Sequence, residues 1–286
     1  MSKLVAANPR IDLGRAAGVQ FLRPFPLVAR RLLELIEDEG MHLRELSRLL
    51  TRDAAFSSQV LRVANSALLG LRYEVTSLQQ ALSILGVQRL RALVVTVAMK
   101  NYMGRGGAAA FGRCWRHNLG TALWCEMLAD CCNVEKAAGY TGGLLHDIGR
   151  LALLMLFPKD YALVMRDATS RTTDNLEAER RFCDVDHCQM GHYLAESWNF
   201  PTALSDVIAH HHGTAGRETP KLRLLVQAAC TAANMSGFHA AGKGCAWEPD
   251  RLTDLLPAAN ARLLPPDEVM RERVTKVFND IEQGLG

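Results

Sequence analysis

The sequence has little net charge, no long apolar run and no recognisable leader. Its 33 Lys and Arg residues against 30 Asp and Glu residues leave a formal charge of +3 over 286 residues, whereas binding to a phosphate backbone usually requires a strongly basic surface. Charges interrupt every apolar run before the roughly 18 residues that a membrane helix needs. Residues 1–20 lack the apolar core of a signal peptide. We therefore expect a cytoplasmic protein without a membrane partner, and nucleic acid is not a favoured partner.

Several structural classes also lack support. None of the eight cysteines forms a C-x-x-C pair, and most lie among apolar residues at helical spacing, which is typical of buried free thiols rather than disulfides. We find no persuasive strand pattern, no internal repeat and no glycine-rich phosphate loop. These absences predict an all-α protein.

Apolar residues recur at helical spacing along most of the chain. Ser77 to Gln80 form a capping-box pattern that starts a helix, and Gly86 ends it. Residues 87–99 are apolar on nearly every side, which predicts a central buried helix. Three further helices are predicted from the apolar faces Val28/Leu32/Leu35/Ile36, Phe56/Val60/Val63/Ala64 and Met270/Val274/Val277/Phe278/Ile281.

A stretch rich in glycine and alanine, residues 104–110, is the best candidate for a boundary between two lobes. The predicted organisation is an N-terminal extension (1–20), an N-terminal helical lobe (21–103), a second helical lobe (104–240) and a C-terminal helical extension (241–286).

Residues 43–65 admit a second interpretation, a helix-turn-helix that binds DNA. Two short helices joined by a tight turn carry Arg44, Arg48, Arg52 and Arg62. Arginines at such spacing more often cover a solvated face of an ordinary helical pair. The DNA hypothesis would need salt-dependent duplex binding that is lost when Arg48 and Arg52 are replaced.

The residues most suggestive of chemistry are His146 and Asp147, which stand just before the apolar run 151–157. Neutral imidazole and ionised carboxylate both bind Zn, Mn or Fe, but the dipeptide alone is a weak motif. Three more histidines lie on inward faces of separate predicted helices: His117 with Thr121, Trp124 and Leu128, His187 with Gly191, Leu194 and Trp198, and His211 with Leu204, Val207 and Ile208. Such convergence favours a metal site. Without a metal, these would be core histidines bonded to carbonyls, and Asp147 would cap the helix that follows it.

This succession of motifs resembles the HD superfamily of metal-dependent phosphohydrolases and, within it, the HDOD family (HD-related output domain). The resemblance runs from Phe21 to Met235. It is carried by Asp53-Ala-Ala-Phe-Ser57, Leu61-Arg-Val-Ala-Asn-Ser66, Gln80-Ala-Leu-Ser-Ile-Leu-Gly86, Gly143-Leu-Leu-His-Asp-Ile-Gly149, His187-x-x-x-Gly191, Trp198-x-x-Pro201 and His211-His212.

The resemblance implies a two-lobed, all-α domain of bacterial signalling in which residues 104–240 form an HD-like lobe. Its function would be regulatory contact with a signalling protein partner or with a second copy in a homodimer, without catalysis at a degenerate HD site. No receiver, GGDEF or EAL sequence is present, so the input would come from a partner or a ligand. The implied metal residues are His117, His146, Asp147, His187, His211 and His212. The cofactor would be either none or a divalent Fe, Mn or Zn.

One departure from the family pattern bears on function. Catalytic HD enzymes carry a late aspartate in the metal shell, whereas Cys230 stands nearest that position here, and a thiolate suits a soft metal but not Mg or Mn. The alternative function is a metal-dependent phosphohydrolase acting on a nucleotide or cyclic dinucleotide. In that case His117, His146, Asp147 and His211 would hold the metal, and Arg150 or Lys159 would contact phosphate.

Overall fold

The computed structural model describes residues 22, 24–34, 54–65, 74–103, 109–170, 176–216, 218–241, 248, 252, 254–256 and 264–285. The N-terminal extension 1–20, the short helix at 43–50 and residues 104–108 of the boundary stretch lie outside this part of the chain. Arg44, Arg48 and Arg52 also lie outside it, so the DNA-binding hypothesis stays untested. The lobe boundaries remain a prediction.

The described residues form twelve helices and no strand, which confirms the all-α prediction. The helices are α1 (Leu27–Glu34), α2 (Ala54–Ala64), α3 (Leu78–Met103), α4 (Ala109–Cys132), α5 (Lys136–Leu145), α6 (Ile148–Leu156), α7 (Pro158–Ser170), α8 (Leu176–Cys183), α9 (His187–Ser197), α10 (Thr202–His210), α11 (Lys221–Met235) and α12 (Asp267–Leu285).

The predicted face of α2 is buried as expected. Of the predicted α1 face, Leu35, Ile36 and the side chain of Leu32 lie outside the described part of the chain, which leaves Val28 for comparison. Ala29 and Leu33 of α1 are fully buried, whereas the predicted Val28 is only half-buried. The reason lies before the helix, where Phe25 stacks on Trp198 with ring centroids 5.7 Å apart. This tertiary contact sets the rotation of α1 more strongly than its own apolar pattern.

The start and the kink of α3 follow from local chemistry. The Ser77 hydroxyl accepts a hydrogen bond from the Gln80 backbone N–H (3.1 Å), while the Gln80 side chain accepts from Thr76 rather than from Ser77 (2.9 Å). Gly86 has φ 75° and ψ 168°, a conformation that glycine adopts without the penalty a Cβ would bring. The predicted helix end at Gly86 is therefore a sharp kink between two helical segments.

The second segment of α3 is largely buried, as predicted, with Leu90, Val94 and Val97 at 1% exposure or less. The segment from Leu78 to Tyr102 is also long and apolar enough to cross a membrane by length and composition alone, with a mean hydropathy of 1.5, and 56% of that window is buried in the protein. This corrects the expectation that no segment would meet that criterion. Buried core helices pass the same test, so this one helix is weak evidence for a membrane span.

Small residues bring the later helices unusually close together. α5 packs on α4, and a Cβ added at Gly143 would stand 2.8 Å from the Cα of Ala122. α6 packs on α9 in the same manner, with Gly149 against Gly191. The close approach places the ends of α5, α6, α9 and α10 around one point.

The N-terminal helices meet the later ones at an aromatic cluster. Phe25, Tyr102, Trp198 and Phe200 have ring centroids 5.7 to 5.8 Å apart, and Arg30 donates a hydrogen bond to the Trp198 carbonyl (3.2 Å). The C-terminal helix α12 packs on both α2 and α4. The C-terminal extension is thus integrated with both groups of helices.

Candidate metal centre

Six helices surround the point where the predicted site residues meet. His117 lies within α4, His146 follows α5, Asp147 precedes α6, His187 is the first residue of α9, His211 and His212 follow α10, and Cys230 lies within α11. The structure therefore brings together all the predicted candidates, and Cys230 with them. Whether they hold a metal remains a prediction.

The turn between α5 and α6 presents both residues of the His-Asp pair to the interior. His146 is 1% exposed and so is Asp147. Asp147 occupies the N-cap position of α6, yet its side chain makes no capping hydrogen bond. The alternative in which the Asp147 side chain caps α6 and bonds His117 is therefore wrong in its capping part, whereas Asp147 Oδ2 does lie 3.7 Å from His117 Nε2.

His117 and His146 face each other with their Nε2 atoms 3.2 Å apart. On the other side of each ring, Nδ1 of His117 bonds to the Phe238 carbonyl (2.6 Å) and Nδ1 of His146 to the Gly143 carbonyl (2.7 Å). A carbonyl oxygen only accepts, so each Nδ1 carries the proton. In the neutral rings two lone pairs then point at each other, which is favourable only with a cation between or beside them.

Two further donors lie beside this pair. Asp147 Oδ2 is 3.7 Å from His117 Nε2 and 3.9 Å from His146 Nε2. Cys230 Sγ is 3.6 Å from His117 Nε2, and the Asn234 amide donates to the sulfur at 3.7 Å. We call these four donors, from His117, His146, Asp147 and Cys230, the Cys230 subsite.

The other oxygen of Asp147 faces a second group of donors. Asp147 Oδ1 is 3.2 Å from His187 Nε2 and 3.4 Å from His211 Nε2, and these two nitrogens are 3.3 Å apart. His212 Nε2 is 3.0 Å from His187 Nε2. We call this group, with Asp147 shared, the His212 subsite.

The donor set fits a divalent cation. Asp147 Oδ1 is buried without a well-aligned hydrogen bond, although His187 and His211 Nε2 lie 3.2 and 3.4 Å away, and such a buried carboxylate oxygen is costly unless a cation balances it. Zn, Fe or Mn is suited by a carboxylate together with imidazoles whose second ring nitrogen is held by a hydrogen bond. Asp147 lies between two groups of donors. A metal would be held by His117, His146 and Cys230 on one side of it and by His187, His211 and His212 on the other.

A buried network behind the donors holds them in place. The Glu179 carboxylate accepts hydrogen bonds from both the ring Nδ1 (2.6 Å) and the backbone N–H (2.9 Å) of His187. Arg150 donates to Asp147 Oδ2 (2.8 Å) and to Glu179 Oε1 (3.1 Å), and the Tyr161 hydroxyl donates to the same Glu179 oxygen (3.0 Å). The predicted phosphate contact by Arg150 does not match this geometry, because the guanidinium is buried among carboxylates.

The two histidines of the Cys230 subsite are neutral at physiological pH. Burial lowers the pKa of His117 to about 4, despite the opposing attraction of Asp147. Burial also lowers the pKa of His146 well below its usual value. Neutral imidazole is the form that binds a metal.

The His212 subsite has more acidic groups around its histidines than the Cys230 subsite has. Burial and Arg150 lower the pKa of His187, but Glu179, Cys188 and Asp147 outweigh them, so that the net pKa is well above its ordinary value. Burial likewise lowers the pKa of His211, and the attraction of Cys188 and Asp147 more than reverses this, to about 9. This side of Asp147 therefore attracts a cation, which is a proton when no metal is bound.

The sequence missed two members of the site and left the directions of His210 and His212 undecided, of which His212 lies in the site. Glu179 lies three residues after Leu176 and four before Cys183, so helical periodicity alone would have placed it on the buried face of α8. Cys188 Sγ lies 3.9 Å from His211 Nδ1, which no sequence pattern indicated. Two histidines lie outside the site: His210 is exposed beside Asp206, and His192 faces Glu196.

Phe238 connects the site to the C-terminal helix. Its carbonyl orients His117, and its ring packs 4.8 Å from the ring of Phe278 on α12. A Cβ at Gly120 would stand 2.7 Å from the Phe238 ring, so glycine there keeps Phe238 close to α4. The geometry of His117 thus depends on residues well after the histidines.

Known proteins share this architecture. A protein of Shewanella amazonensis named as a "putative phosphohydrolase" superposes with a TM-score of 0.71 at 23% identity, over 95% of this chain and 98% of its own. An HDOD domain protein of unknown function from Geobacter sulfurreducens gives a TM-score of 0.79 at 20% identity, over 94% and 96% of the two chains. At these identities the likeness shows a common fold.

The sequence itself matches relatives and one family model. An uncharacterized protein of Treponema pallidum is 23% identical over 192 residues, 65% of this chain, and the match spans only 37% of that relative's length. The family model of the HDOD domain matches residues 22–214. The chain belongs to the HDOD family.

Proposed function

We propose that this chain is a metal-holding signalling module that acts by contact with a protein partner. The observation that carries the proposal is the enclosure of the donor set. His187 is fully buried, Asp147 is 1% exposed and His117 is 3% exposed. A catalytic metal needs a coordination position open to substrate, and donors buried to this degree suit a structural or sensing ion better.

The network around Arg150 supports the same reading. A phosphohydrolase needs cationic groups that meet the substrate phosphate. Here the Arg150 guanidinium is 5% exposed and pairs with the carboxylates of Asp147 and Glu179. Its positive charge is used to orient the donors.

Helix α9 offers a path from the metal to a partner surface. It begins at His187, a donor, and ends at Ser197, just before Trp198 packs on Phe25. Its 11 residues span about 16 Å at 1.5 Å per residue. A change in metal occupancy that shifts His187 would therefore reach the junction between the N-terminal helices and the HD-like lobe, where a signalling protein or a second copy of this chain would bind.

One observation favours the alternative, a phosphohydrolase acting on a nucleotide or cyclic dinucleotide. His212 is exposed and Cys230 is half-buried, so one side of the donor set lies near the surface. A divalent ion there would supply Lewis-acid chemistry and lower the pKa of a bound water. His212 would then stand at the entrance, where substrate arrives.

The test compares tag-free wild-type protein with the His146→Ala, Asp147→Ala double variant and with a His192→Ala control from the same helix as His187. We expect near-stoichiometric Fe, Mn or Zn by mass spectrometry in the wild type and the control, and none in the double variant. Chelation should raise hydrogen exchange in α9 and α1. Metal-free wild-type protein would overturn the proposal.

Catalysis is tested on the same samples with bis(p-nitrophenyl) phosphate and a cyclic dinucleotide. We expect no turnover above that of the double variant. Metal-dependent turnover in the wild type and the His192→Ala control, absent from the double variant, would replace the proposal with the alternative.

A further inference from the structure

We propose that Cys230 is a metal ligand, and that its thiolate forms a three-donor site with His117 and His146 that selects zinc over harder ions. This inference rests on the proposed function, because it presupposes that the cluster holds a metal. It adds the identity of the ion and the state of its coordination shell.

The spacing of the donors fits a tetrahedral centre. With metal–nitrogen bonds of about 2.05 Å and a metal–sulfur bond of about 2.3 Å, a tetrahedron separates nitrogen from sulfur by about 3.6 Å and nitrogen from nitrogen by about 3.3 Å. The His117 Nε2 to Cys230 Sγ distance is 3.6 Å and the His117 to His146 Nε2 distance is 3.2 Å. The ligand atoms of His117, His146 and Cys230 all lie within 4.8 Å of one another. Asp147 Oδ2, 3.7 and 3.9 Å from the two nitrogens and bonded to Arg150, stands outside that group.

The surroundings of the sulfur also suit a ligand. Asn234 lies one turn after Cys230 on α11 and donates its amide N–H to the sulfur, a contact that stabilises a thiolate. Cys230 is half-buried, whereas the other described cysteines are buried. The nearby Cys188 contacts a different histidine, at Nδ1 of His211, which also faces the carbonyls of Val207 and Ile208. Its sulfur therefore does not face the His117 and His146 pair.

The exchange of a carboxylate for a thiolate has two chemical consequences. A soft sulfur ligand disfavours Mg and Mn and favours Zn. The three donors also come from α4, the α5–α6 turn and α11, so a bound ion would hold these elements together. The Cys230 subsite is then a zinc site that links α4, the α5–α6 turn and α11. The Cys230 thiol lies at its edge and is the donor most exposed to reagents.

The first test measures metal choice in the full chain. Wild type, Cys230→Ser, Cys230→Asp and a Cys131→Ser control are loaded from equimolar Zn and Mn, and bound metal is measured by mass spectrometry. Because Zn generally binds more tightly than Mn at any site, the readout is the change between variants. We expect the Zn-to-Mn ratio to fall about tenfold or more in Cys230→Asp, equivalent to about 1.4 kcal/mol or more, and to be unchanged in the control.

The second test reads the sulfur directly. Wild-type protein loaded with Co²⁺ should show a thiolate-to-cobalt charge-transfer band in the near ultraviolet that is absent in Cys230→Ser and Cys230→Asp and retained in Cys131→Ser. Zinc should also protect Cys230 from alkylation, as mapped by peptide mass spectrometry with and without chelator. Cys230→Asp keeps the charge and similar size, so it provides a folded comparison if Cys230→Ser is unstable.

The outcomes separate this inference from the proposed function. Two results would overturn the ligand role of Cys230 and leave the metal-holding function intact. The wild type and both Cys230 variants would bind metal with the same Zn-to-Mn ratio, and the charge-transfer band would survive in Cys230→Ser. Absence of any metal from wild type would overturn the function itself.

Discussion

Gly149 lies so close to the backbone of His187 that a Cβ on Gly149 would stand 1.9 Å from the His187 carbonyl oxygen. The same Cβ would stand 2.4 Å from the backbone nitrogen of Gly191. Both obstructing atoms belong to the backbone, which no side-chain rotation can move. This contact fixes the distance between Asp147, just before Gly149, and His187.

The first prediction is that Gly149→Ala forces α6 and α9 apart. Overpacking of a core usually costs about 1–3 kcal/mol, and because backbone must move here we expect at least about 3 kcal/mol from urea unfolding, with loss of bound metal. Gly112→Ala on α4 is the control, since a Cβ there meets nothing within 4 Å and should be neutral or slightly stabilising. Equal stability of the two variants would contradict the packing.

The second prediction concerns the buried carboxylate of Glu179. Burial raises the pKa of Glu179, but His187 and Arg150 outweigh this, so the net pKa lies below its ordinary value. A depressed folded pKa stabilises the protein above the unfolded pKa, about 4.3, and the stabilisation is lost as the pH falls through the folded value.

Glu179→Gln should therefore destabilise the protein most at neutral pH, by about 3 kcal/mol, because it breaks a buried ion pair. The difference from wild type should shrink as the pH falls below about 4.3. Chemical denaturation at pH 7 and at a series of acidic values measures this. Glu177→Gln, exposed on the same helix, is the matched control. A pH-independent difference would show that Glu179 acts only through packing.

The third prediction tests the aromatic junction between the two groups of helices. Phe25 is 1% exposed and stacks on Trp198, so Phe25→Ala should cost about 3–5 kcal/mol of unfolding free energy. Leu27→Ala, at a position 63% exposed, should cost little. A loss below about 1 kcal/mol for Phe25→Ala would mean that the N-terminal helices fold and dock independently of this contact.

The fourth prediction follows from the contact between Phe278 and Phe238. Removing the Phe278 ring leaves the Phe238 ring unsupported, and the carbonyl that orients His117 loses its fixed position. Loss of such outer support commonly weakens metal binding about 10–100-fold. We expect a drop within that range for Phe278→Ala in a chelator competition assay, and none for Val269→Ala, an exposed position on the same helix. Unchanged affinity in Phe278→Ala would show that His117 is held without α12.

Sequence periodicity predicted the helices well where a helix lies on a simple core. The buried positions Met270, Val274, Phe278 and Ile281 of α12 are those that the 3.6-residue repeat indicated. In α1 it missed the buried Ala29 and Leu33, and it gave no sign of Phe25, which lies before the helix and stacks on Trp198. Contacts between residues 173 positions apart, such as Phe25 and Trp198, leave no trace in a local repeat.

The inward histidines were predictable for the same reason, since His117, His187 and His211 continue apolar stripes. The capping role considered for Asp147 was wrong because a residue at an N-cap position need not use its side chain there. Under the alternative function, Arg150 or Lys159 would contact phosphate, whereas Arg150 pairs with Asp147 before α6 and with Glu179 on α8, which depends on how these helices pack. Pairing of buried charges between helices is a property of tertiary packing that composition and spacing do not contain.

Phe238 also has a practical consequence for dividing the chain. The family match ends at residue 214, a natural point at which to cut a minimal fragment. Such a fragment would keep every histidine of the cluster and Asp147, but it would lose the Phe238 carbonyl that sets the tautomer of His117 and the α11 helix that carries Cys230. The smallest piece able to reproduce the chemistry of this centre is therefore longer than the segment by which the family is recognised.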